Sequence, residues 1–500
     1  MKPHKPYPVS NQKAPRSPRP AAPFERNHEK PPPAPRREGR DSKPSVYSKT
    51  KAAPPKQSRP KSSGPKQSAP KQPESRRSAP VLFASASLGI GALTGAQIRG
   101  RAADRLRNGY LWVYASDIET VNLPDASNPP ALLAVADSRG LLLGTALYSP
   151  SSQIALRMVS REALNEAAWL ELIESRLRAS IDRRLLRAND AETDSCRLCF
   201  SEADNLPGLV IDKYGPLVIV QRLARGLYAP GVSETCVRVL RDILKPTAIL
   251  ERPDPRIREL EALPAADPAP LWAENPADPL TSAQFRVNGL RFHYDANSGQ
   301  KTGAFLDQRA NYAAAAEWAR KLGATGRGLD VCTYQGGFAL HLARVCKRVT
   351  GIDSSRASLE IAERNLETNR ESLTAQVDWV EGDAFQILRD WSDSSETFNT
   401  IVLDPPAFAK SQRAVEGALR GYKELNLRAL KMLAPCGLLV TCSCSHHVGW
   451  TDLEGAVASA ASDAGRCVRL LERRGAALDH PVVLNLPETE YLKCLILQVE

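Results

Sequence analysis

The sequence predicts an α/β protein: a C-terminal domain on a parallel sheet, preceded by a small β-rich module and a mixed α/β central segment, behind a disordered N-terminal tail. Three observations predict it. Half of the prolines and the whole basic excess are confined to the first 80 residues. Short β-like runs separated by Gly, Pro, Asn and Ser fill residues 91–159. From Gly289 onward, strand-like and helix-like segments alternate, the pattern of a parallel sheet with crossover helices.

The chain has 500 residues and a formal net charge of +11. Residues 1–80 hold 20 Lys/Arg against 5 Asp/Glu, so the tail carries +15 and the remainder −4. Recurring Lys-Pro, Arg-Pro and Ser-Ala-Pro units, with few apolar residues, leave too little burial to offset chain entropy, and 1–83 is expected to be disordered. Such a tail either tethers RNA electrostatically or merely solubilises. The start lacks the charged-then-apolar pattern of a secretory signal, and no run approaches the ~20 apolar residues of a membrane helix. Ten scattered cysteines do not suggest a disulfide framework. The expected compartment is the reducing cytoplasm, with no membrane partner.

Within 84–160 the β-like runs are Tyr110–Tyr114, Ala131–Val135, Leu141–Tyr148 and Ile154–Val159. The segment 161–285 opens with a helix over 162–187, where Leu164, Ala168, Leu172 and Leu177 recur at helical spacing. Five arginines between Arg176 and Arg187 suggest a local RNA-binding patch. Strands follow at Leu209–Asp212, Leu217–Gln221 and Ala248–Glu251, with a helix at Ser233–Leu244 and a loop over Pro264–Pro279. In 286–500, strands are expected at Gly328–Cys332, Arg348–Asp353, Val377–Glu381, Thr400–Leu403, Leu438–Cys442, Val468–Glu472 and Tyr491–Val499. Helices are expected between them at Gly337–Val345, Ser355–Asn369, Ala384–Trp391, Gly417–Leu433 and Leu453–Asp463.

The strand ends carry the chemistry. The first ends in Asp330 and runs into Gly336-Gly337-Phe338, where glycines admit a ligand to the backbone at a helix N-terminus. It is neither the dinucleotide G-x-G-x-x-G nor a Walker loop. The next strand ends in Asp353, placed to accept ribose hydroxyls, and the third leads to Asp383, placed to face an adenine amino group. A glycine turn and two acids at successive strand ends suit an adenosine-bearing ligand that needs no phosphate contacts. S-adenosylmethionine fits better than NAD.

The fourth strand ends Asp404-Pro405-Pro406-Ala407-Phe408, a rigid extended loop able to hold Asp404 and Phe408 against a flat base. The fifth ends Cys442-Ser443-Cys444-Ser445-His446-His447. A thiol beside a methyl donor and a base can add to carbon 6 of cytosine and make carbon 5 nucleophilic. Cys442 and Cys444 are two apart and are expected to share a face. Cys444 lies further toward the cleft and is favoured as nucleophile, with Cys442 as the alternative. His446 and His447 either raise the thiolate fraction, bind phosphate or cap the next helix. Metal binding is not expected, since Cys196-x-x-Cys199 lacks a partner pair; both read as structural.

On these residues the chain resembles the bacterial PUA-domain-containing class I rRNA methyltransferases that make 5-methylcytosine in 23S rRNA. The resemblance covers about 88–500. It rests on Gly299-Gln-Lys-Thr-Gly303-Ala-Phe305-Leu-Asp307-Gln308-Arg309, the Asp330…Gly336-Gly337 turn and Asp404-Pro-Pro-Ala-Phe-Ala-Lys410-Ser411. Thr441-Cys-Ser-Cys-Ser-His-His, Asp479-His-Pro481, Pro487-Glu-Thr-Glu-Tyr491 and the central Glu202…Asp212-Lys-Tyr stretch add to it. It implies a PUA-like RNA-binding domain at 84–160, a linking helix and central domain at 161–285, and a Rossmann-like class I methyltransferase domain at 286–500. It implies S-adenosylmethionine as cofactor, with Asp353 and Asp383 on its ribose and adenine and with Phe305, Gln308 and Arg309 lining the cleft. It implies 23S rRNA as partner. Ala304 stands where the family commonly has an aromatic, and Gln335 stands unusually before the glycines.

Two other functions stay open at this level. Asp-Pro-Pro-aromatic motifs also resemble those of enzymes that methylate a base nitrogen, and Ala407 stands where dual-cysteine cytosine enzymes carry a second cysteine. A catalytically retired ribosome assembly factor is the other. The oligomeric state is open, a homodimer included.

Overall fold

A computed structural model describes residues 94–188, 192–263, 265–297 and 303–500. The expected disordered tail and residues 299–302 of the first motif lie outside the described residues.

The β-rich module consists of β1 (Gly95–Ile98), α1 (Gly100–Arg107), β2 (Trp112–Tyr114), β3 (Ile118–Asn122), β4 (Leu132–Asp137), β5 (Leu142–Tyr148) and β6 (Ile154–Ser160). They form a six-stranded sheet in the order β2-β6-β5-β4-β1-β3, in which β1 runs parallel to β4. Ile98, Leu106, Val113, Leu133, Val135 and Leu156 make its core. The sequence reading misses β1, α1 and β3. Glu119, Thr120 and Asn122 of β3 are exposed, so that strand lacks the apolar alternation that signals one.

Helix α2 (Glu166–Ala188) follows and buries Trp169, Ile173, Leu177 and Ile181, one residue every four. The buried stripe is thus rotated from the expected Leu164–Ala168–Leu172 row toward the bulkier Trp169 and Ile173. Four of the five arginines expected to form a patch have partners in the protein. Arg184 is buried against Asp204 at 2.6 Å, and Arg183 pairs with the same carboxylate at 2.7 Å. Arg176 donates to the Asn205 carbonyl, and Arg178 pairs with Glu174 and Asp242. These four bond to groups of the protein itself, Arg183 with its side chain still half exposed, and the Arg187 side chain lies outside the described residues.

The central sheet comprises β7 (Ser195–Phe200), β8 (Leu209–Tyr214), β9 (Leu217–Arg222), β10 (Ala248–Glu251) and β11 (Trp272–Ala273), ordered β11-β10-β9-β8-β7. Helix α3 (Val232–Leu244) packs beside α2 on its core, and the short α4 (Pro255–Leu260) follows β10. Cys196 and Cys199 are buried in that core, where desolvation pushes the Cys196 thiol up to about 12.

β12 (Ser282–Val287) and β13 (Leu290–Asp295) form an antiparallel hairpin of their own. The turn is Asn288-Gly289, both at positive φ, as a two-residue hairpin turn requires. The alternating α/β pattern therefore starts later than Gly289. The free edge of β13 is closed by side chains of the following domain: Asn365 accepts from the His293 amide, and Asn369 bonds both backbone groups of Arg291.

The last domain contains α5 (Arg309–Lys321), β14 (Arg327–Val331), α6 (Gly337–Leu342), β15 (Arg348–Asp353), α7 (Arg356–Asn369), β16 (Gln376–Glu381) and α8 (Ala384–Asp393). It continues with β17 (Phe398–Leu403), α9 (Val415–Met432), β18 (Leu433–Ser443), α10 (Trp450–Ala464), β19 (Val468–Arg474) and β20 (Lys493–Val499). The sheet order is β16-β15-β14-β17-β18-β20-β19. β14 to β18 are parallel, but β20 is inserted antiparallel between β18 and β19, so the sheet is not wholly parallel. No crossover helix joins β19 to β20, and without one the returning strand pairs antiparallel. The chain order reverses between β14 and β17, and a crevice opens outside the carboxyl ends of the strands there.

Candidate active site

The crevice is a cavity of about 320 Å³. Its floor is the turn after β14. Cys332 and Tyr334 adopt left-handed backbone there, as does Gly336 at φ +85. At Gly337 the constraint is space: a Cβ would come 2.5 Å from the Tyr312 ring. Asp330 ties the turn together, accepting from the Thr333 hydroxyl at 2.5 Å and the Ala339 amide at 2.8 Å. Burial lifts its pKa to about 7, the two hydrogen bonds opposing and the Asp353 charge adding to the rise. Asp330 and Gly336 shape the cavity from behind, whereas Gly337 lines it.

Asp353 and Asp383 both line the cavity at successive strand ends. Asp353 accepts from the backbone N–H groups of Tyr334 and Ser355, each at 2.9 Å, which aims its remaining lone pairs outward. Asp383 caps α8 by accepting from the Gln386 amide at 3.0 Å. The opposite wall is the segment entering α5. Phe305 lines the cavity and meets Tyr334 edge-on at 4.9 Å. Gln308 also lines it and is buried, its Oε1 accepting from Asn311 at 2.6 Å. Arg309 does not line it: its guanidinium pairs with Asp479 at 3.0 Å and donates to the Ser195 carbonyl.

At the mouth of β17 and β18 lie Asp404, Pro405, Pro406, Phe408 and Cys444. Phe408 packs between Tyr422 and Phe385, at 4.9 and 5.9 Å. Cys442 and Cys444 do not present the same exposure. Cys442 is fully buried opposite Cys494, inside strand β18, and desolvation drives its thiol well above the usual range. β18 ends at Ser443, and the next residue, Cys444, emerges into the cavity with Sγ 3.9 Å from the Pro405 carbonyl. His446 and His447 are exposed. Among the described residues, no group of three or more His, Cys, Asp or Glu is arranged to hold a metal ion.

Two residues here were given no role from sequence. Asp307 lines the cavity and accepts from the Tyr491 hydroxyl at 2.5 Å. Lys493 is 2% exposed and donates to the Ser445 and Tyr491 carbonyls. A lysine inside the apolar run Leu492–Val499 was the available signal.

The cavity fits a methyl donor of nucleoside size. Two of its lining residues carry a buried polar atom with no hydrogen-bond partner among the described residues: Asp307 Oδ1 and Gln308 Nε2. Buried groups of this kind are normally satisfied, so orphans gathered at one cleft point to a polar ligand. The sheet order, the glycine turn and the paired acids define a class I S-adenosylmethionine-dependent methyltransferase domain. Residues 261–484 match the family of S-adenosylmethionine-dependent methyltransferases, and residues 96–161 match the PUA-like domain. SMU.776, solved in complex with SAH, superposes with a TM-score of 0.67 at 19% identity, over 81% of this chain and all of that one. At that identity the likeness shows the fold.

The curated relatives go further. The chain is 35% identical to ribosomal RNA large subunit methyltransferase I of Pseudoalteromonas translucida (strain TAC 125) over 398 residues, 79% of this chain and 96% of that protein. It is 34% identical to the protein of the same name from Cronobacter sakazakii (strain ATCC BAA-894), over 79% of this chain and 96% of that one. The chain belongs to the ribosomal RNA large subunit methyltransferase I family. Its cofactor is S-adenosylmethionine. Among the described residues, no helix is long and apolar enough to cross a membrane.

Proposed function

We propose that this protein methylates carbon 5 of a cytosine in 23S rRNA, in the cytoplasm, through a covalent adduct on Cys444. The observation that carries the reading is the position of Cys444, whose thiol lines the same cavity as Asp353, Asp383 and Asp404. The names of the relatives support large-subunit ribosomal RNA as the substrate. S-adenosylmethionine, when bound, supplies an electrophilic methyl group. Asp353 accepts the ribose hydroxyls and Asp383 the adenine amino group; Phe305 and Gln308 close the wall beside it. Asp404 accepts an N–H of the cytosine, held flat against Phe408.

The Cys444 thiolate adds to carbon 6, and the electron pair of the 5,6 bond becomes available at carbon 5, which takes the methyl group. Loss of the carbon 5 proton to a base returns that pair to the ring. The carbon–sulfur bond then breaks and the thiolate leaves. Bisulfite sequencing of rRNA from a deletion strain tests the substrate: one cytosine loses its protection, and complementation with the wild type, not with Cys444→Ala, restores it. An unchanged map sinks the substrate assignment. Full activity in both Cys444→Ala and Cys442→Ala would favour methylation of a base nitrogen at Asp404 instead. Failure to bind S-adenosylmethionine by calorimetry would favour an assembly factor.

A further inference from the structure

Two adjacent side chains at the entrance to α5 line the cavity while nine-tenths or more buried: Asp307 is 8% exposed and Gln308 2%. Each keeps one polar atom, Asp307 Oδ1 and Gln308 Nε2, without a hydrogen-bond partner among the described residues. The first is an acceptor that carries charge; the second is a neutral donor. A buried carboxylate is ordinarily paired with a cation. Arg197, whose charge Asp307 affects, is committed elsewhere: its guanidinium donates to both oxygens of Asp212, each at 2.8 Å.

What the neighbours take decides which atoms are left. The Tyr491 hydroxyl donates to Asp307 Oδ2 at 2.5 Å, so Oδ1 is the oxygen that remains. A relay orients the Gln308 amide. Arg474, which can only donate, gives its Nε–H to Asn311 Oδ1 at 2.9 Å. Asn311 Nδ2 is then the donor, to Gln308 Oε1 at 2.6 Å and to the Gly475 carbonyl at 3.1 Å. With Oε1 occupied, Nε2 is the atom of Gln308 left for a ligand. The Cys442 sulfur is near enough to feel this amide, but sulfur is a weak acceptor and no hydrogen bond forms between them.

The other polar walls of the cavity already have roles. Asp353 and Asp383, at the ends of β15 and β16, face the nucleoside, and Asp404 and Cys444 lie at the mouth of β17 and β18. The remaining polar part of the donor is its amino-acid end, an ammonium and a carboxylate. That end matches an anionic acceptor beside a donor, whereas a neutral base edge would leave the Asp307 charge uncompensated.

We propose that Asp307 and Gln308 read the amino-acid end of S-adenosylmethionine, Asp307 Oδ1 accepting from its ammonium and Gln308 Nε2 donating to its carboxylate. Asn311 is a positioning residue that sets the polarity of the Gln308 amide, under the direction of Arg474. The proposal rests on S-adenosylmethionine as donor and not on which base atom is methylated.

The test is titration calorimetry of the full chain with three ligands. S-adenosylhomocysteine has both charged groups, its decarboxylated analogue has the ammonium alone, and 5′-methylthioadenosine has neither. D307N keeps an acceptor for Tyr491 and removes the charge. It is expected to weaken the first two ligands by about tenfold or more and to spare the third. Q308M keeps the length of the side chain and removes the donor. It is expected to weaken S-adenosylhomocysteine alone. N311D still accepts from Arg474 but cannot donate to Gln308 Oε1, and it is expected to follow the pattern of Q308M. A variant whose affinity ratio between S-adenosylhomocysteine and 5′-methylthioadenosine equals that of the wild type overturns the role given to that residue, and a uniform loss across all three ligands does the same. If D307N does not fold, the ratios of Q308M and N311D decide. Failure of the wild type to bind S-adenosylhomocysteine would instead overturn the donor itself.

Discussion

The hydroxyl of Tyr491 lies 2.5 Å from Oδ2 of Asp307, joining the wall of the cavity to a loop 184 residues later in the chain. That bond holds the Asp307 carboxylate in place while its Oδ1 stays buried and unpartnered. Tyr491→Phe removes the donor and leaves both oxygens unsatisfied. Losing one partner of a buried hydrogen bond costs about 1–3 kcal/mol. The variant is expected to melt earlier by differential scanning calorimetry and to bind S-adenosylhomocysteine more weakly by titration calorimetry. Unchanged affinity would show that Asp307 stands outside the donor site.

Gly337 gives a sharper steric test. Its missing Cβ leaves room for the Tyr312 ring, which a methyl group would approach at 2.5 Å. Tyr312 is held from both sides, by Phe338 at 4.7 Å and His341 at 5.3 Å, so it has little room to retreat. Overpacking of this kind costs about 1–3 kcal/mol. Gly337→Ala is therefore expected to lower both the melting temperature and the affinity for S-adenosylhomocysteine, read from one calorimetric series.

The two cysteines separate by their surroundings. Cys442→Ala removes a fully buried sulfur facing Cys494 and is expected to cost about 1 kcal/mol of stability while retaining turnover. Cys444→Ala removes a side chain at the cavity surface and is expected to abolish turnover with little change in melting. Denaturation midpoints beside single-turnover assays distinguish the two patterns, and a reversed outcome would make Cys442 the nucleophile.

Much of this was legible in the sequence because strand ends are local signals. Asp353, Asp383 and Asp404 each follow a strand-like run, and the structure puts all three on the cavity lining. Arg309 was not legible: it lies beside residues that line the cavity, yet its partner Asp479 comes from a distant loop that no local pattern indicates. The same holds for Arg184, whose partner Asp204 follows β7. The strand that follows the Asn288-Gly289 turn was not among the expected strands: the alternation was taken to begin at Gly289, whereas β13 pairs with β12 in a separate hairpin. Local periodicity marks strands without indicating which sheet they join.

Two buried groups behind the glycine turn titrate in opposite senses. His341 is neutral, with one ring nitrogen 2.7 Å from the Gly337 carbonyl and the other 3.0 Å from the Asn288 amide nitrogen. Burial lowers its pKa from 6.5 to about 4, so its contribution to stability is present above 6.5 and is lost as pH falls toward 4. Burial raises Asp330 from 3.8 to about 7, so its contribution is greatest below 3.8 and is lost as pH rises through 7. The two slopes oppose each other between pH 4 and 6.5. Asp330→Asn keeps an acceptor and removes the charge, and is expected to steepen the gain in stability from pH 4 to 6.5 and to flatten its decline toward 7. His341→Gln is expected to do the reverse. Urea midpoints across that range measure both, and parallel curves for wild type and variants would refute the assignment.

The net charge divides unevenly between the tail and the rest of the chain. Arg176, Arg178, Arg183 and Arg184 of α2 have partners within the protein, and the residues past 80 carry −4. Exposed Arg99, Arg101 and Arg161 remain, without an ion pair among the described residues. The tail holds +15, and each phosphate a cation neutralises steepens the fall of affinity with salt. Deleting residues 1–80 is expected to leave turnover at low salt intact and to flatten the plot of log affinity against log salt. Removing Arg99 and Arg101 in the truncated chain should then flatten it further, by about one phosphate contact each. Loss of methyl transfer on truncation at low salt would instead make the tail part of the catalytic machinery.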